Sequence, residues 1–193
     1  MVLFADDMKS FIQITRHLYE EPYHLNLVIV ASNGLAMGSL EFYSNASDLK
    51  DIGEALKKFN YKQTSTYLYE LGSERSEDNF AHYFCFKVFP TGRGYRSYAI
   101  QIRMNNNEKL RNLGWPHLHQ ESDFCIEVDI DELGKLAQLF IGFSKLEQNR
   151  LYWSPEANYL DNAVKEPPLQ LEPNEVAFEV LPKYKKPPQR AAS

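Results

Sequence analysis

Leu40-Glu-Phe-Tyr-Ser-Asn-Ala-Ser-Asp-Leu49 leads into an amphipathic stretch ending at Phe59, and Phe124-Cys-Ile-Glu-Val-Asp-Ile-Asp-Glu-Leu133 leads into another ending at Phe143. The apolar positions coincide at a constant offset of 84 residues: Phe42 on Ile126, Leu49 on Leu133, Ile52 on Leu136, Leu56 on Phe140 and Phe59 on Phe143. Each unit alternates like a half-buried strand and then shifts to helical spacing. Two long units are not the many short ones of a solenoid. The expectation is one α+β domain built from a duplicated strand–cap–helix unit. It has a largely antiparallel sheet and two equivalent helices packed on one face of it.

The flanking segments fit that expectation. Phe11 to Tyr19 reads as a first strand and Tyr23 to Ala31 as a second, with Leu25, Leu27 and Ile29 on one face. Asn33-Gly34 signals a tight hairpin, because its central residues need positive φ, and Leu35 to Tyr43 returns. The first helix starts at Asn45, with Asp48 three residues on. The second starts at Asp129, with Glu132 three residues on. Both are helix-start patterns in which a side-chain oxygen accepts an orphan N–H. Further strands are expected over 63–71, 80–89, 95–104 and 122–128. The segment Gly72 to Asn79 is a polar loop, and Pro90 to Gly94 closes a hairpin.

After Asn149 the composition changes. Residues 150–193 hold most of the ten prolines and end in a basic stretch from Lys183. The domain is therefore set at 1–149. Residues 150–193 are read as a partly docked extension, frayed after about residue 182. Glu175 to Leu181 has strand-like alternation.

Bulk properties narrow the function classes. A net charge of -5 over 193 residues argues against general nucleic-acid binding, which rests on neutralising phosphate. It suits a basic protein partner. No run approaches the roughly 20 apolar residues of a membrane helix, and the N-terminus lacks a signal-peptide pattern, so a cytoplasmic location is expected. Cys85 and Cys125 each lie in an apolar run and read as buried free thiols.

Every catalytic candidate has a competing structural explanation. His117 and His119 point the same way on an extended chain, with Glu121 and Asp123 continuing that face. They are the residues of a metal-assisted hydrolase, if one exists here. Asp129, Asp131 and Glu132 look like an acidic metal motif, but Asn45, Ser47 and Asp48 hold the matching places in the first unit and are capping types. Tyr61, Tyr67, Tyr69, Tyr95 and Tyr98 beside Arg93, Arg96 and Arg103 would suit base stacking if they were exposed. No catalytic residue, metal or cofactor is assigned.

Gly38-Ser-Leu-Glu-Phe-Tyr-Ser-Asn-Ala-Ser-Asp-Leu49, Tyr67-Leu-Tyr-Glu-Leu-Gly72, Ser122-Asp-Phe-Cys-Ile-Glu127 and Leu133-Gly-Lys-Leu136 occur in that order. This pattern resembles small bacterial proteins of the WapI-type immunity class over roughly residues 23–147. The resemblance implies a non-enzymatic protein that binds and neutralises a toxin domain, with no catalytic residues to carry over. Glu74, Glu77 and Asp78 in the polar loop are the candidate partner contacts. The other classes in play are the hydrolase and an oligomeric module that pairs through an open sheet edge.

Overall fold

The computed structural model describes residues 9–59, 65–92, 96–106 and 121–162, all inside one compact unit, Met1–Ala163. The elements are β1 (Ser10–His17), β2 (Leu25–Asn33), β3 (Met37–Ser44), α1 (Ala46–Lys57), β4 (Tyr67–Gly72), β5 (His82–Pro90), β6 (Ser97–Asn106), β7 (Glu121–Asp129), α2 (Ile130–Phe143), β8 (Arg150–Trp153) and β9 (Asn158–Asp161). The α+β class and the antiparallel pairing are as expected.

The described strands form two sheets rather than one. The first runs β3-β2-β1-β8-β9 and the second β4-β5-β6-β7. The cause lies in the helices: α1 leaves β3 of the first sheet and delivers the chain to β4 of the second. α2 leaves β7 of the second sheet and delivers it to β8 of the first. The helices pack against each other, and their stripes join the inward faces of both sheets in one buried cluster. Alternation makes each sheet apolar on one side only, so each needs a cover.

The offset of 84 residues becomes a pseudo-two-fold relation. The row Leu40, Ile29, Ile14, Leu151 crosses the first sheet, and Phe124, Ile102, Phe86, Tyr69 crosses the second. Strand for strand, β3-β2-β1-β8 matches β7-β6-β5-β4. Equivalent residues also meet each other. A Cβ on Gly38 would sit 2.5 Å from Oγ of Ser122, its counterpart. One on Gly53 would sit 2.8 Å from the carbonyl oxygen of Ala137, its counterpart. Small residues are needed where the two halves come closest.

That crossing gives a paired prediction. Ala is normally favoured over Gly inside a helix by about 1 kcal/mol. At Gly53 the added carbon would also lie 2.9 Å from the backbone N of Ile141, and backbone cannot step aside. Gly53→Ala is expected to cost about 2 kcal/mol net. At Gly134, also helical, nothing lies within 4 Å of the added carbon. Gly134→Ala is expected to add about 0.5–1 kcal/mol. Urea unfolding of both variants reads the opposite signs.

Local chemistry accounts for the element ends. Asp129 accepts from Glu132 N at 2.8 Å while Glu132 accepts from Asp129 N at 2.6 Å, a complete capping box. Asn45 accepts from Asp48 N at 2.8 Å, but Asp48 turns to Asn45 Nδ2 and the Ser44 hydroxyl instead of closing the box. The β2–β3 turn is longer than two residues: β3 begins at Met37, and Asn33 Oδ1 accepts from both Leu35 N and Ala36 N. Gly34 supplies the positive φ, 86°.

Residues 150–161, read from composition as part of an extension, supply β8 and β9 of the first sheet. Leu151 and Trp153 are fully buried. β8 does for β1 what β4 does for β5. The strand-like stretch Glu175 to Leu181 and the basic end lie outside the described residues.

One buried cation breaks the symmetry. Arg16 pairs across from Leu27 as Val88 pairs across from Ile100, so the two positions correspond. Arg16 is 7% exposed. Its guanidinium bonds Glu21, and Nη2 donates to the carbonyls of Leu146 (2.8 Å) and Gln148 (3.1 Å). It ties the α2–β8 connection to the turn after β1.

Candidate interaction surface

The strand β7 alternates cleanly. Phe124, Ile126 and Val128 enter the core, while Glu121, Asp123, Cys125, Glu127 and Asp129 are exposed on the other side. Four of those five outward residues are acidic, and among the described residues β7 is an edge strand. The neighbouring strand β6 places Arg103 across from Asp123 and Asn105 across from Glu121. On the far side β4 adds Glu70, which accepts from the Tyr83 hydroxyl at 2.6 Å.

Arg103 is the centre of this face. Nε donates to Glu74 Oε1 at 3.0 Å, Nη2 reaches Glu74 Oε2 at 2.9 Å and Glu121 Oε1 at 3.2 Å, and Nη1 reaches Asp123 Oδ2 at 3.5 Å. The hydrogen bond to Glu74 and the three carboxylate charges push its pKa up. Gln101 Nε2 donates to Asp123 at 2.8 Å, and Asn105 Nδ2 donates to Glu74 at 3.1 Å. Three carboxylates share one guanidinium, so the cluster stays negative. Asn105 is 8% exposed, and its Oδ1 has no hydrogen-bond partner.

The polar-loop candidates divide. Glu74 belongs to this face through Arg103. Asp78 organises its own loop: it accepts from Ser73 Oγ at 2.6 Å and Arg75 Nε at 2.9 Å, and these bonds lower its pKa. Glu77 is exposed on a single 3-10 turn, Ser76–Asp78. The loop can start as it does because Gly72 has φ 80°; a Cβ there would lie 2.0 Å from the His82 carbonyl oxygen.

Other sequence candidates fall elsewhere. His117 and His119 lie outside the described residues. Glu121 and Asp123, which would share their face, are engaged with Arg103. Among the described residues, no group of three His, Cys, Asp or Glu side chains is placed to hold a metal ion. Asp129 and Glu132 cap α2, and Asp131 reaches Arg96 at 3.3 Å.

The cysteines need a correction. Cys85 is buried, but Cys125 is exposed on the acidic face; both are free. They stand on β5 and β7 with β6 between them, and burial raises both thiols' pKa. The stacking face also needs one. Tyr98 is buried, and Tyr67 and Tyr69 pack against the core, because each sits on the inward side of its strand. Tyr61, Tyr95 and Arg93 lie outside the described residues. An aromatic ladder appears instead on the outer side of the first sheet: Phe11 stacks on Tyr152 at 5.9 Å, and Tyr152 on Tyr159 at 5.0 Å. Only the β1–β8–β9 order reveals it.

A cleft of about 410 Å³ lies between β3 and the start of β5, with Val28, Glu41, Tyr43, His82 and Asn106 among its walls. Burial lowers the pKa of His82, favouring its neutral form. Glu41 accepts from Asn26 Nδ2 at 2.8 Å.

No helix among the described residues is long and apolar enough to cross a membrane. Comparison with family models, curated proteins and solved structures returns no match.

Proposed function

We propose that this chain is a non-enzymatic binding protein, an immunity-type inhibitor that neutralises a basic bacterial toxin domain in the cytoplasm. The observation that carries the reading is the outer face of the second sheet, where Glu74, Glu121 and Asp123 crowd one guanidinium and Glu127 and Asp129 extend the row. A toxin that attacks nucleic acid presents cations to its substrate. An acidic face is steered to those cations and can cover them without any chemistry of its own. Glu74 joins the polar loop to this face; Glu77 and Asp78 lie on the loop beyond it.

Co-expression with the product of the adjacent gene tests the proposal. A stable complex and rescue of growth are expected. Glu121→Gln with Asp123→Asn keeps the shape of the face and leaves Arg103 its bonds to Glu74. This pair is expected to slow association about tenfold at low salt, and less at high salt. Failure to form a complex or to rescue growth sinks the reading.

A further inference from the structure

We propose that the outer edge of β4 is a self-association site, where two copies of this chain join their second sheets with β4 antiparallel to β4 about a two-fold axis. Among the described residues β4 pairs only with β5. The matching edge in the first sheet, β8, is covered: β9 lays Leu160 against Leu151 and Tyr159 against Tyr152. The fold therefore shows, in its other half, that an antiparallel strand fits this position.

The side chains of β4 are less buried than their counterparts in β8. Tyr69 and Leu71 correspond to Leu151 and Trp153, through their pairing with Phe86 and Phe84 against Ile14 and Ile12. Leu151 and Trp153 are 0% exposed, whereas Tyr69 and Leu71 are only partly buried, as is Tyr67. Leu68, on the other side, is 49% exposed. β4 contains neither Pro nor Lys, the residues that usually protect an edge.

The sequence of β4 is self-complementary. With Tyr69 on the axis, it meets Tyr69 of the other copy, Tyr67 meets Leu71, and Leu68 meets Glu70. No like charges face each other, as a symmetric contact requires. Glu70 is also satisfied within its own chain by Tyr83. A strand of six residues makes a contact at the small end of the range, so the dimer should dissociate on dilution. This inference is independent of the toxin reading, since no partner is needed to observe it.

Sedimentation velocity of the full chain, over about a hundredfold range of concentration, is expected to show reversible dimerisation. Leu68→Glu sets a carboxylate against Glu70 of the other copy, twice by symmetry. It is expected to weaken the dimer about tenfold, whereas Leu68→Gln, which adds no charge beside Glu70 or beside its cross-strand neighbour Lys87, preserves it. Melting temperatures control for folding. A chain that stays monomeric throughout, or two variants that dimerise alike, overturns the proposal. So does slow amide exchange along both edges of β4 in the dilute monomer, which would mean that the same chain already covers that edge.

Discussion

Trp153→Ala is expected to lower the free energy of unfolding by about 4 kcal/mol. The indole is fully buried and faces Ile12 across the β1–β8 seam. Its Nε1 has no hydrogen-bond partner, so the loss is one of packing and cavity rather than of a bond. Two comparisons isolate that cause. Trp153→Phe keeps most of the volume and is expected to cost about half as much. Tyr159→Ala, on β9, removes a ring that is already 39% exposed from the outer stack with Tyr152 and is expected to cost about 1 kcal/mol. Urea unfolding ranks the three. A small effect at Trp153 would mean that β8 is not part of the cooperative unit.

Arg16→Met is expected to cost about 3–5 kcal/mol, because it removes one partner of a buried ion pair and leaves the other behind. Glu21 keeps a carboxylate whose side chain is only 22% exposed. The carbonyls of Leu146 and Gln148 lose their donor as well. Arg16→Lys keeps the charge but not the fork, so it cannot serve the carboxylate and both carbonyls together. Most of the loss should remain. Glu21→Gln leaves the carbonyl bonds intact and is expected to cost about 1 kcal/mol. The double variant Arg16→Met with Glu21→Gln should lose less than the sum of the two, since the stranded charge is gone. Additive losses would show that the pair does not act as a unit.

Arg16 also marks what sequence reasoning can reach and what it cannot. Alternation identified the strands through Leu25, Leu27 and Ile29, and the spacing of Asn45 and Asp129 located both helix starts. Those signals are local, carried by neighbours along one strand or one helical turn. The division into two sheets depends on which strands pair, and β1 finds β8 about 140 positions away. No local pattern encodes that. β8 and β9 are four residues each, too short to show a period, and Pro155 stands between them. Of the candidate contacts, Glu74 meets the charged face through Arg103 and Asn105, both on a strand that approaches it by register. The row Glu121, Asp123, Glu127 and Asp129 is visible as alternation, but Glu121 and Asp123 equally suit metal ligation and Asp129 suits helix capping. The exposure of Cys125 followed from the same alternation: it sits between Phe124 and Ile126, which both face inward.

The exchange of strands between the halves has a kinetic side. The second sheet is a meander, each strand pairing with the one before it, so its loops close cheaply and early. The first sheet cannot be finished until β8 and β9 have been made, because Leu151 and Trp153 must reach back to Ile14 and Ile12. During synthesis the acidic sheet has all four of its strands first, while β1 waits with one edge uncovered. Two halves nearly alike in their final form are thus set apart in time, and the early half is the one that carries the charged face.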